Sequence, residues 1–260
     1  YWGAQVIVSL FSAIPVIGPD LVIWIQGDYV ISGATLNRFF ALHVIALPLV
    51  IVILVFLHLV ALHEVGSNNP DGTDVKRNNT TDKYDIVDDV VPFFPHIVLK
   101  DLVGFSFFLL AFCYIMFFAP EMGGYFLEHP NFEIANPLKT PEHIFPVWYF
   151  TPFYAILKAI PHKLGGVIAM FASIIFLALL PWLDRGKVKS WRYRCGLHRW
   201  NLLIFAAVFI FLGYLGGTPQ EAWKITVSQI LTIMYFGFFV LLFIYSKNER
   251  TKPVPARITE

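Results

Sequence analysis

The stretch RFFALHVIALPLVIVILVFLHLVALHE, residues 38–64, decides how this chain is read. An apolar helix covers the hydrocarbon core of a bilayer with about 20 residues at about 1.5 Å each. This run is long enough, yet it holds His43 and His58 inside the apolar sequence and His63 at its end. On an ideal helix the 15 positions from His43 to His58 amount to four turns plus about 60° and a rise of about 22 Å. One helix therefore presents an imidazole near each side of a membrane. A single intramembrane histidine is accounted for by a hydrogen bond to a neighbouring helix. Two at opposite depths are not, because ionisable groups in hydrocarbon are costly and mark a pathway or a bound metal. Axial ligation of haem iron uses both. Arg38 lies one turn before His43, where it either snorkels to the interface or pairs with an anionic cofactor group.

Composition agrees with a membrane setting. Of 260 residues 57% are hydrophobic and only 14% charged, with a mean hydropathy of +0.64. Soluble domains lie nearer half apolar and a quarter charged, so the chain is expected to be an all-α polytopic membrane protein. A net charge of +1 gives no basis for a nucleic-acid partner. Cys113 and Cys195 have no metal-binding spacing and are expected to be free thiols without a role. The chain opens at Tyr1 without a methionine or signal-peptide pattern and reads as a fragment.

Outward from the quoted stretch, residues 1–35 are apolar but broken by Gly3, Pro15, Gly18 and Pro19. Pieces of about 10 residues are too short to span and suit re-entrant or interfacial helices over a buried site. Thr35 is the expected N-cap of the first span, 36–63. Residues 64–98 form a polar connection, and the region 99–260 holds four further spans, about Leu99–Phe118, Leu164–Leu183, Trp200–Tyr214 and Ile225–Tyr245. Five crossings place the 64–98 loop, the Arg- and Lys-rich stretch 185–199 and the tail on one side. These hold most of the basic residues, so that side is cytoplasmic. The acidic 119–152 loop and the opening segment share the periplasmic side, with His43 near it and His58 near the cytoplasm.

Five motifs carry a resemblance: YWGA at 1–4, RFFALH at 38–43, HLVALHEVGSNNPDG at 58–72, NPLKTPEHIFPVWYF at 136–150 and KAIPHKLGGV at 158–167. Together they are highly specific. The chain closely resembles the later portion of the cytochrome b family, the membrane subunit of ubiquinol:cytochrome c reductases. The resemblance implies two b-type haems stacked across a bacterial inner membrane. His43 would ligate the low-potential haem near the periplasm and His58 the high-potential one. Their partner histidines would lie on an earlier helix absent from this sequence. It further implies that Gly3 and the opening segment form one wall of a quinol-oxidising pocket, with Pro146, Val147, Trp148, Tyr149 and Tyr154 forming the other. His63, Ser67, Lys100 and Asp101 match a quinone-reducing site, where a histidine and an aspartate suit proton delivery. The implied assembly is a homodimeric complex in the lipid bilayer, with a Rieske iron-sulfur protein, cytochrome c1 and the missing N-terminal helices.

Two features depart from that family's common pattern. The spacing of the two ligands is one residue longer than in mitochondrial members, and a local bulge before Pro48 would absorb the extra residue. The motif PVWY at 146–149 replaces a PEWY whose glutamate is believed to accept a quinol proton. Val147 cannot do so, and Glu142, five residues earlier, is the expected substitute. Two rival functions fit the sequence less well. A secondary transporter would carry polar residues in several spans, and the later spans are nearly free of them. A mere anchor leaves the paired histidines unexplained.

Overall fold

The structure is a computed structural model that describes residues 1–73, 92–124, 126–127, 129–141 and 143–256. Among the described residues all regular structure is helical. Helices α1 (Trp2–Phe11) and α2 (Gly18–Gln26) are the short opening pieces, separated by a turn and packed on each other. Pro19 at the start of α2 and Asp20 in its first turn suit a helix N-terminus. Gly27, at φ 73°, ends α2 in the left-handed conformation.

The quoted stretch lies in a continuous helical span of 33 residues, Gly33–Val65, comprising α3 (Gly33–Ala41), a π turn (Leu42–Ala46) and α4 (Leu47–Val65). Ser32, not Thr35, is its N-cap. Thr35 stands at N3, where its hydroxyl accepts from the Ser32 amide (3.1 Å) and donates to the Gln26 carbonyl (2.8 Å). Both residue types suit an N-cap, and the contact with α2 decides between them. The π turn sits directly before Pro48, with the Leu47 amide bonded to the Leu42 carbonyl. A proline has no N–H to donate and its ring crowds the preceding turn, which widens to take in the extra residue.

Helix α5 (Val98–Phe118) follows a turn at Phe93–Ile97. Then come α6 (Thr151–Ala159), α7 (Lys163–Ala178), α8 (Leu180–Leu183), α9 (Gly196–Gly216) and α10 (Ala222–Tyr245). Among the described residues four helical stretches are long and apolar enough to cross a membrane: Gly33–Val65, Phe93–Phe118, Gly196–Gly216 and Ala222–Tyr245. The expected span 164–183 is broken at Leu179, because Pro181 cannot continue the α7 hydrogen-bond ladder.

Helices α6, α9 and α10 enclose a core of Ala155, Ile156, Val208, Leu212, Tyr235, Phe238, Phe239 and Leu242. The rings of Phe205 and Phe238 stack with centroids 4.2 Å apart, and the Tyr235 hydroxyl donates to the Ser173 carbonyl of α7 at 2.9 Å. Gly216 lets α9 approach α6 so closely that a Cβ there would lie 2.0 Å from the Thr151 carbonyl oxygen.

Two groups of turns meet at opposite ends of this frame. At the basic end, loop 69–73 lies against 189–193, and the Lys252 amide bonds the Tyr193 carbonyl at 2.8 Å. These three segments are the ones that charge counting puts on one side. At the other end Lys163 Nζ donates to Ser12 Oγ (2.7 Å), and Lys158 Nζ donates to the carbonyls of Gly216 (3.1 Å) and Thr218 (3.3 Å). Helices α7 and α8 together run from one end to the other.

Candidate functional site: a two-histidine span and the turns at its ends

His43 falls inside the π turn and His58 in the regular part of α4. A π turn removes one residue from the helical count, so the 15 positions act as about 14 and the imidazoles fall about 40° apart. Both are exposed, and α4 has no buried residue at all. Among the described residues no group of three or more histidine, cysteine or acidic side chains is arranged to hold a metal ion. The donor set offered is therefore a single imidazole at each depth, with apolar residues around it. Such a donor would suit a haem iron, and His43 or His58 would hold the group at its own depth, where it would supply one-electron chemistry.

Arg38 reaches back to α2. Its Nη1 donates to the carbonyls of Trp24 (2.6 Å) and Ile25 (3.3 Å), over Gly27, where a Cβ would lie 2.5 Å from the guanidinium carbon. The cation thus caps the negative end of α2. Neither sequence alternative for Arg38 included this contact. With Nη1 engaged, the other donors of the fork remain for an anionic group.

At the end where α1 and α6 lie, residues 146–149 turn into α6. The Phe150 amide bonds the Val147 carbonyl (2.8 Å), and Thr151 Oγ1 donates to the Trp148 carbonyl (2.6 Å). Pro146 is half-buried, and Val147, Trp148 and Tyr149 are exposed. Gly3 is also exposed, with open space where a Cβ would be. Glu142 lies outside the described residues.

Tyr154 is half-buried, and burial pushes its phenol up, so it stays protonated. One helical turn on, the Lys158 ammonium sits 4.6 Å from the Tyr154 ring centroid and 5.5 Å from that of Phe145. Burial and then the charge of Lys224 lower the Lys158 pKa to about 8. Lys158 opens the KAIPHKLGGV motif, and its position four residues after Tyr154 is the local signal that puts the two side chains on one helix face. A cleft of about 440 Å³ opens beside it, lined by Leu10 of α1 and by Leu157, Lys158, Lys163 and Gln229 among others. This cleft joins α1 to the α6–α7 corner, but Gly3 and residues 146–149 do not line it.

His63, Ser67, Lys100 and Asp101 are all exposed. Asp101 stands in the first turn of α5, where the helix dipole favours a carboxylate. At the basic end Arg194 is buried between Asp184 (2.8 Å) and Glu249. Burial pushes Asp184 up, but hydrogen bonds from Arg194 and the Gly186 amide, with the Arg194 charge, hold it below the usual carboxylate range. Cys195 and Cys113 are free thiols, and Cys195 caps α9 by accepting from the His198 amide at 3.4 Å. That corrects the expectation that both cysteines are without a role.

Comparison with known proteins gives a consistent result. Residues 1–152 match the family model described as cytochrome b(N-terminal)/b6/petB, and residues 134–236 match cytochrome b(C-terminal)/b6/petD. Cytochrome b of Allochromatium vinosum is 54% identical over the whole of this chain and 64% of its own length. Cytochrome b of Rickettsia prowazekii is 49% identical over 98% of this chain and 61% of its own. Cytochrome b/c1 of Bradyrhizobium diazoefficiens is 44% identical over the whole chain and 36% of that protein. A chain of a solved hyperthermophilic respiratory complex III superposes with a TM-score of 0.83 at 34% identity, covering 95% of this chain and 62% of that one. The chain thus spans under two thirds of the length of these relatives.

Proposed function

The chain belongs to the cytochrome b family, and on that premise we propose that it is part of the membrane subunit of a respiratory quinol:cytochrome c reductase. The observation that carries this reading is the pair of exposed imidazoles at two depths on one apolar span. Haem bound there supplies one-electron transfer across the membrane. The chain's own residues do the rest. His43 and His58 each give one imidazole nitrogen, on a span whose π turn brings them toward one face, and Arg38 keeps guanidinium donors for an anionic group beside His43. The partners this implies are a Rieske protein, cytochrome c1, the remaining helices of the family fold and a second copy of the complex.

Gly3, Pro146, Val147, Trp148, Tyr149 and Tyr154 are assigned to the ubiquinol-oxidising side. His63, Ser67, Lys100 and Asp101 are assigned to the ubiquinone-reducing side, facing the cytoplasm. Tyr154, held protonated by burial, donates a hydrogen bond better than it accepts a proton. Val147 is aliphatic, so Glu142 takes the quinol proton. Glu142→Gln lowers quinol:cytochrome c turnover and shifts its pH profile, whereas Glu133→Gln does neither. Parent-like rates and profiles in both would assign that proton to water instead.

The test of the main reading is a reduced-minus-oxidised spectrum of the assembled complex. His43→Leu and His58→Leu each remove one of two b-type contributions and leave the other. Loss of both from a single substitution, with the protein still inserted, would overturn the assignment of one histidine to each iron.

A further inference from the structure

Among the described residues Asp71 is the most thoroughly buried carboxylate outside the sites assigned above, with an exposure of 1%. It lies in the loop after α4, and a carboxylate withdrawn from water needs charged or hydrogen-bonding partners. Its Oδ1 accepts from Tyr193 Oη at 2.7 Å and from Arg192 Nη1 at 3.1 Å, 121 or more positions along the chain. Pro70, just before it, gives its carbonyl to Ser190 Oγ at 2.6 Å. Gly72, just after it, has φ +68°, and a Cβ there would lie 2.8 Å from Lys189 Cβ and 3.0 Å from the Ser190 nitrogen. Asn69 closes the loop on itself, Nδ2 donating to the Thr73 carbonyl (2.6 Å) and Oδ1 accepting from the Thr73 amide (3.1 Å). Residues 69–73 are thus a small closed unit seated on 189–193. Ser67 stands two residues before it, and His63 lies in the last turn of α4.

We propose that Asp71 is a positioning residue of the quinone-reducing site: by holding Tyr193 and Arg192 it fixes the 69–73 loop, and with it Ser67 and the end of α4 that carries His63. This rests on the quinone-reducing reading given above. Asp71 touches no quinone. It sets where Ser67 and His63 stand before quinone arrives, so its loss weakens quinone binding and leaves the chemistry of the bound quinone alone.

The test follows reoxidation of reduced haem by a short-chain ubiquinone in the assembled complex, per haem and across quinone concentration. Asp71→Asn raises the apparent KM about tenfold, with kcat and quinol oxidation unchanged. Tyr193→Phe removes one hydrogen bond only and raises KM about two- to threefold, and it gives the same reading if Asp71→Asn does not assemble. Glu249→Gln loosens the neighbouring tail contact to Arg194 without touching the loop and keeps the parent KM. A parent KM in both Asp71→Asn and Tyr193→Phe overturns the proposal. So does an equal rise in Glu249→Gln, which would mean general loosening of the basic end. Asp101→Asn in the same assay separates the two layers. If it slows reoxidation while the Asp71 variants do not shift KM, the positioning role alone fails. If it too is without effect, the quinone-reducing reading fails.

Discussion

Helices α4 and α5 have the composition of α9 and α10 but not their surroundings. Leu and Val residues along α4 are exposed on every side, and neither α4 nor α5 has a buried residue. Helices α6, α9 and α10 instead close around Tyr235, Phe239, Leu212 and Ile156, each almost wholly buried. The second region makes its own core. The first presents two histidines and a cylinder of aliphatic side chains to whatever surrounds it. In a membrane protein, apolarity therefore does not separate a face meant for lipid from one meant for a cofactor or another helix. The imidazoles do that.

One substitution made in both regions can break the comparison. Gly216→Ala puts a methyl group onto the Thr151 carbonyl, forces α6 away from α9 and costs about 3 kcal/mol. Gly104→Ala in α5 meets nothing within 4 Å in this chain and is neutral or slightly stabilising. Thermal unfolding of both variants in detergent reads the difference. Repeating Gly104→Ala in the assembled complex sharpens it, because a new loss there shows that a partner covers α5.

A smaller effect belongs to Lys158, which ties the packed region together at its acidic end. Its folded pKa of about 8 lies below the ordinary lysine value of 10.5, so the folded state binds fewer protons than the unfolded one between these values. Stability rises as pH climbs through that window. Relative to Lys158→Gln the parent gains about 1 kcal/mol or less between pH 8 and pH 10, because the group is only half-buried. Unfolding midpoints at the two pH values give the answer, and parallel curves would place the ammonium in open water.

The first region was the more legible of the two. Its long span, the short opening helices and the irregular turn before Pro48 follow from local signals: apolar length, glycine and proline breaks, and the missing proline N–H. Charge counting grouped the 64–98 loop, the 185–199 stretch and the tail, and loop 69–73, residues 189–193 and Lys252 do meet. Contacts between distant turns left no local trace. Nothing near Asp71 announces Tyr193, nothing near Arg38 announces the end of α2, and Thr35 looks as good a cap as Ser32 until the Gln26 carbonyl is seen. The break at Leu179 was signalled by Pro181, but the apolar run on both sides of it outweighed that single residue.

Among the described residues, the hydrogen bonds joining α1–α5 to α6–α10 gather at two places: Ser12 with Lys163, and Pro70 and Asp71 with Ser190, Arg192 and Tyr193. Neither place lies on the helix that carries the imidazoles, so the packed helices hold that span through turns outside it and leave its length, with both histidines, to whatever covers it.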